Sequence, residues 1–271
     1  MALAKKEPSG NAAPSGSASK SSWPLDHLDR EAHLLDPARK QEYVNAVFDT
    51  VAGSYDRFTR LCSFGMDVVW KRELVRLVRR RLRPNDVVAD LATGTGDLAF
   101  SLAPFVREGA VIGIDICDRM LHLAEQTRRR RGASNVTFRQ GDLMATGLAD
   151  CSVAAVTVGY GLRNCPDYRL ALCEIRRVLR PGGILASLDF VRPERGWWGS
   201  LFRRALLLAC NFYGWLWHGQ PAAYGYLAHS IPHFASRREF SQALTAAGFD
   251  LLAERPKLGG AVCLHMARKR M

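Results

Sequence analysis

The chain has 271 residues, 48% hydrophobic and 24% charged, enough for one α/β domain with a tail. Its 38 Lys and Arg against 26 Asp and Glu give a net charge of +12, spread in short clusters with no nucleic-acid module signature; solvated surface or an anionic membrane face suits that charge better than nucleic acid does. Seven cysteines, an odd number without a C-x-x-C pair, argue against a disulfide framework and a zinc site and fit a cytoplasmic, reducing compartment.

Residues 1–22 are Ala, Ser, Gly, Pro and Lys, too polar to pack and lacking the apolar run of a signal peptide, so a disordered tail is expected. Residues 23–84 read as a helical segment on the substrate side. Within it Val44, Val47, Phe48 and Val51 form the stripe of an amphipathic helix. The run Ala52-Gly53-Ser54-Tyr55-Asp56 then breaks that helix and sets a phenol beside a carboxylate, either as site residues or as a capped turn.

The 85–271 core opens with strand 87–91, a turn Ala92-Thr93-Gly94-Thr95-Gly96, a helix opened and capped by Asp97, and a strand ending on Asp115. Gly94 and Gly96 let the backbone approach a ligand closely, and Asp115 can accept two hydrogen bonds from a ribose diol. The run Gly94 to Ala99 fits G-x-G-x-x-[GA], which keeps an NAD-dependent oxidoreductase open as one reading. Asp97 and Asp90 argue the other way: carboxylates there repel a diphosphate and suit a cofactor carrying an ammonium and a sulfonium, S-adenosylmethionine.

A helix over 118–131 leads to strand 136–140 and Asp142. Asp90, Asp115 and Asp142, all at strand C-terminal ends, are expected to line one crevice. Strand 153–158 runs into Gly159-Tyr160-Gly161-Leu162-Arg163-Asn164. A helix over 168–179 stops at Arg180-Pro181-Gly182-Gly183, before strand 184–190. Residues 197–217, WWGSLFRRALLLACNFYGWLW, are too short an apolar run to span a bilayer and read either as an interfacial helix or as a buried one. Pro232 between His229 and His233 argues against a regular helix that would pair them on a metal, and no metal is expected.

The order of elements, with G-T-G-D after strand one, an acid after strand two and L-R-P-G-G before strand five, resembles the class I S-adenosylmethionine-dependent methyltransferases. Residues 51–56, Ser63-Phe64-Gly65 with Trp70-Lys71, Gly161-Leu162-Arg163-Asn164 and Tyr226-Leu227 with Ser230-Ile231 resemble, more narrowly, the quinone C-methyltransferases of menaquinone and ubiquinone biosynthesis, over roughly residues 43–268. The resemblance implies a Rossmann-like α/β fold. Its seven-stranded, mostly parallel sheet would have helices on both faces and an antiparallel last strand, with residues 250–255 and 261–267 as the final pair and a helical insertion over about 192–235.

It implies cofactor contacts at Thr95, Asp115, Asp142 and Leu143, and at Gly159, where the family carries a serine; Tyr160 follows where the family usually has Phe. It implies that Tyr55, Arg163 and Asn164 border the substrate, a polyprenylated quinol, with Arg163 stabilising a developing phenolate. His265 matches a family histidine, and a core role is expected for it. The expected reaction is ring C-methylation of a demethylmenaquinol, with a ubiquinone-pathway benzoquinol as the alternative, at or near the inner face of the cell membrane. A catalytically silent membrane scaffold is the third reading.

Overall fold

A computed structural model describes residues 36–194, 197–220 and 224–271. The expectation for the tail at 1–22, and most of that for 23–40, lies outside these residues. Three helices come first, α1 (Pro37–Val51), α2 (Tyr55–Cys62) and α3 (Met66–Arg79). The alternating core follows: β1 (Val87–Leu91), α4 (Asp97–Leu102), β2 (Ala110–Asp115), α5 (Asp118–Arg131), β3 (Val136–Gln140), β4 (Val153–Gly159), α6 (Tyr168–Val178) and β5 (Leu179–Phe190). Then come α7 (Trp197–His218), α8 (Gly225–Ser230), α9 (Arg237–Ala246), β6 (Phe249–Lys257) and β7 (Val262–Lys269).

The seven strands form one sheet in the order β3-β2-β1-β4-β5-β7-β6; β7 is antiparallel to both its neighbours and the β1 to β5 pairings are parallel. This is the expected architecture. The central strands are apolar because both faces are covered. On one face Ala89 and Val156 pack with Ile175 of α6 and Phe240 of α9; on the other Val88 and Ala155 pack with Leu74 of α3 and Leu102 of α4.

The α1 stripe is buried as its spacing predicts. Val44, Val47 and Val51 meet Leu206 and Cys210 of α7 and Tyr226 of α8 over the C-terminal edge of the sheet. Each such side chain, fully buried, contributes roughly 1.5–3 kcal/mol. Between α1 and α2 the helix breaks where expected, and the Ser54 hydroxyl there lies 2.6 Å from Tyr224 Oη and 3.2 Å from His218 Nε2. The break thereby ties α1 to the end of α7.

β5 begins earlier than the Pro-Gly-Gly run suggests. Leu179 already pairs with Val153, and a register shift before Ala155 absorbs residues 180–183, with Gly182 at φ +73. The turn is therefore an irregularity inside the strand.

Candidate active site

The parallel strands end together at the edge roofed by α1, α2 and α7. After β1 the chain turns through Ala92 (φ +50) and Gly94 (φ +55), and nothing lies within 4 Å of where a Gly94 Cβ would be. The turn is held from β2: Asp115 Oδ2 accepts the Gly94 N–H at 2.7 Å and Oδ1 accepts the Cys117 N–H at 3.0 Å. Burial raises the Asp115 pKa, and these N–H groups oppose the rise. The carboxylate keeps acceptor capacity for a further donor.

A cleft opens here. Gly94, Asp115, Asp142, Leu143, Gly159 and Asn164 line it, with Ile116 and Met120 as an apolar wall and Tyr55 at its inner end. Asp142 Oδ1 accepts the Met144 N–H at 2.8 Å, which fixes the loop after β3. At Gly159 a Cβ would meet Leu98 Cδ1 at 2.9 Å, so leucine fills the space a serine side chain would need.

Several expectations are corrected. Asp90 does not line the cleft: it is buried, its oxygens accept from the Thr93 and Thr157 hydroxyls at 2.6 Å each, and burial pushes its pKa up to about 6. Two acids, not three, stand in the wall. The Thr95 hydroxyl also faces away, donating to Asp56 Oδ2 at 2.7 Å, and burial raises the Asp56 pKa. Gly96, at φ +89, is needed for packing, since a Cβ would meet Phe138 at 2.7 Å.

Asp97 is not the helix cap; Gly96 holds that position, and Asp97 is bonded at 3.0 Å to Lys71 of α3. Burial works against the Lys71 ammonium, but Asp97, Asp56 and Asp67 outweigh it and raise its pKa. A side chain from an earlier helix thus neutralises the charge on which the sequence argument against a diphosphate leaned.

Beyond Tyr55 lies a second, apolar cavity, lined by Phe58, Trp70, Phe190, Phe202, Leu206 and Leu227 among others. Tyr55 and Tyr160 belong to the walls of both cavities. Arg163 lines the inner one and is 1% exposed. Its Nη1 donates to Asp189 Oδ1 at 2.7 Å and to the Tyr160 carbonyl at 2.9 Å. Burial disfavours the charged guanidinium, yet the Asp189 carboxylate holds its pKa above the ordinary value. Asn164 Nδ2 donates to the same carbonyl at 3.0 Å, and its Oδ1 accepts from Tyr226 Oη at 3.1 Å.

Sequence reasoning missed Asp189 and Lys40, and it marked Tyr226 as part of a family motif without its bond to Asn164. Lys40 donates to the Arg163 and Cys165 carbonyls at 3.0 and 2.5 Å. An acid within the apolar run L-A-S-L-D-F was the available signal for Asp189. His265 lines neither cavity; it is buried edge-on to Phe240, 4.9 Å between centroids, and burial pushes its pKa down to about 4. Among the described residues no group of His, Cys, Asp or Glu is arranged to hold a metal ion.

Residues 37–269 match the ubiE/COQ5 methyltransferase family. The chain belongs to that family. It is 37% identical over 208 residues to the demethylmenaquinone methyltransferase of Thermus thermophilus, covering 77% of this chain and 93% of that one. It is 33% identical over 250 residues to the protein of the same name from Desulfitobacterium hafniense, covering 89% and 96%.

Among solved structures, a SAM-dependent methyltransferase from Aquifex aeolicus superposes with a TM-score of 0.56 at 19% identity, over 81% of this chain and 97% of that one. The [4+2]-cyclase SpnF superposes with a TM-score of 0.55 at 20% identity, over 73% and 80%. The fold alone therefore carries more than one reaction, and the family assignment is what retires the dinucleotide-oxidoreductase reading.

For a ubiE/COQ5 methyltransferase the donor is S-adenosylmethionine, and the cleft fits it. Acids and no bases stand in the wall, as a cationic ligand requires; Asp115 retains acceptor capacity for a diol, and Ile116, Met120 and Leu143 offer apolar surface to a flat base.

Proposed function

We propose that this methyltransferase adds a methyl group to a ring carbon of a demethylmenaquinol, a polyprenylated quinol, working against an anionic membrane surface. In this reading Asp115 takes the ribose hydroxyls of S-adenosylmethionine, Asp142 and Leu143 flank its base, and Gly94 allows close backbone approach. The bound donor supplies a methyl group activated by its sulfonium. The observation that carries the reading is the meeting of an acid-lined cleft with an apolar cavity at Tyr55 and Tyr160. A ring held at that boundary has the donor on one side and the apolar side chains around the inner cavity on the other, as a polyprenylated substrate requires.

The chain's own contribution is positioning and electrostatics. A quinol carbon becomes nucleophilic when a ring hydroxyl loses its proton to water, and the Arg163 guanidinium, kept charged by Asp189, stabilises the resulting oxyanion. After the methyl group moves from sulfur to carbon, that carbon gives up its hydrogen as a proton, the ring oxygen is reprotonated and one proton is released overall. Asn164, clamped by Tyr226 and the Tyr160 carbonyl, borders the cleft beside it. The test is methyl transfer from labelled S-adenosylmethionine to a reduced short-chain demethylmenaquinol. Product methylated on the ring is expected; no transfer, with S-adenosylhomocysteine still bound, sinks the substrate assignment.

Membrane contact is supported by α7. Its buried residues Leu206, Cys210 and Gly214 lie on one side, while Trp197, Leu201, Leu208, Phe212, Trp215 and Leu216 are exposed within about 100° of arc on the other. Leu208 is 70% exposed and Trp215 60%, and Phe64 at the turn before α3 is 88% exposed. Exposed Arg57, Arg60, Arg203 and Arg204 supply charge for anionic headgroups. No helix among the described residues is long and apolar enough to cross a membrane. Flotation with vesicles containing phosphatidylglycerol is expected to carry the wild-type chain and not a Phe212→Asp/Trp215→Asp variant; equal flotation of both removes α7 from the contact.

A further inference from the structure

Two buried donors at the wall of the inner cavity have no acceptor among the described residues: the Tyr160 hydroxyl and the Arg163 Nε–H. Tyr160 is 5% exposed and stands between the two cavities. Its backbone sits in the left-handed region at φ +61, where a bulky residue persists only if its surroundings over-determine it. They do. Its N–H donates to the Leu188 carbonyl at 2.7 Å, and its own carbonyl is the acceptor shared by Arg163 Nη1 and Asn164 Nδ2.

The ring lies tilted against Phe190, 5.6 Å between centroids, with the Arg163 guanidinium carbon 6.0 Å from its own centroid. A phenylalanine would make every one of these contacts. The hydroxyl is the one part of the side chain that the fold does not use, and burying it unpaired weakens the protein. An acceptor carried by a ligand at the cavity boundary gives it a role.

Resting on the reading of that boundary as the ring site, we infer that the Tyr160 hydroxyl donates a hydrogen bond to a quinol ring oxygen, alongside Arg163 Nε, and so helps to select the ionised ring. A hydrogen-bond donor on a ring oxygen favours its deprotonated form, which is the form whose ring carbon attacks. Burial, with Asp67 of α3, Tyr55 of α2 and Asp189 of β5 nearby, holds the Tyr160 phenol well above its usual range, with Arg163 opposing, so it acts as donor and not as base.

The test is Tyr160→Phe in the full chain, assayed with reduced short-chain demethylmenaquinol across pH 6 to 9. Loss of one donor on the ionising oxygen is expected to move the acidic limb of the kcat profile up by about one pH unit, so that the rate falls roughly tenfold on that limb and recovers at high pH. Affinity for S-adenosylhomocysteine stays as in the wild type, and the thermal midpoint is equal or higher because an unpaired hydroxyl has gone. A variant with wild-type rates and pH profile overturns the inference. So does a rate loss that comes with a lower midpoint and an unmoved limb, which marks a packing role. A wild-type chain that transfers no methyl group to this quinol defeats the substrate reading and this inference together.

Discussion

Replacing Asp115 by Asn separates the donor site from the scaffold that holds it. The carboxylate accepts the Gly94 N–H on one oxygen and the Cys117 N–H on the other. In the proposed reading the acceptor capacity that remains takes the ribose diol. An asparagine has a single acceptor oxygen, so in either orientation its NH2 faces one of those backbone donors and one ribose hydroxyl loses its acceptor. A hydrogen bond to a charged group contributes about 1.5–3 kcal/mol, so the ligand bond alone weakens binding roughly 10- to 150-fold.

The second lost bond, in the turn, lowers stability by a similar amount. Calorimetric titration with S-adenosylhomocysteine reads the first effect and thermal melting the second. Asp90→Asn is the control: both Asp90 oxygens accept from threonine hydroxyls that can rotate to suit an amide, and the residue does not line the cleft. It is expected to alter the melt while leaving affinity within about threefold, under ~0.7 kcal/mol. If Asp115→Asn binds as tightly as the wild type, or Asp90→Asn loses as much, the ribose is not held at Asp115.

His265, held near 4 in the folded chain against 6.5 in an unfolded one, binds a proton more readily after unfolding. Stability is therefore expected to be full above pH 6.5 and to fall by about 3 kcal/mol as the pH drops towards 4, read from urea midpoints, and His265→Phe should flatten that slope. Asp189→Asn leaves the Arg163 guanidinium buried without its counter-charge and should cost about 3–5 kcal/mol by urea denaturation, with much of the loss recovered when Arg163→Met is added. Gly161→Ala would bring a Cβ to 2.4 Å from Ala92 Cβ, so a stability loss of about 1–3 kcal/mol and weakened S-adenosylhomocysteine binding are expected together.

The β1-turn-α4-β2 unit was legible because everything that defines it is local: two short apolar runs, a glycine turn and an acid at a strand end. The break before Tyr55 was legible for the same reason. What the pattern could not reveal is which partner reaches a side chain from afar. Asp97 is met by Lys71 from 26 positions upstream, Thr95 by Asp56 from 39, and Arg163 by Asp189 from 26 downstream. Asp90 shows the limit most clearly: it stands one residue before the end of β1, level with Gly113 of β2 and not with Asp115, and two threonines hold it inward. α7 resisted a choice between buried and interfacial because its sequence is apolar nearly all round; only the packing of Leu206, Cys210 and Gly214 reveals that it has two kinds of face.

The outer cleft has carboxylates and no basic side chain in its wall. Such a wall distinguishes the fresh reagent from the spent one. In the proposed reading, once the sulfonium has become a neutral thioether the carrier has lost one of its two positive charges, and the carboxylates attract it through its ammonium alone.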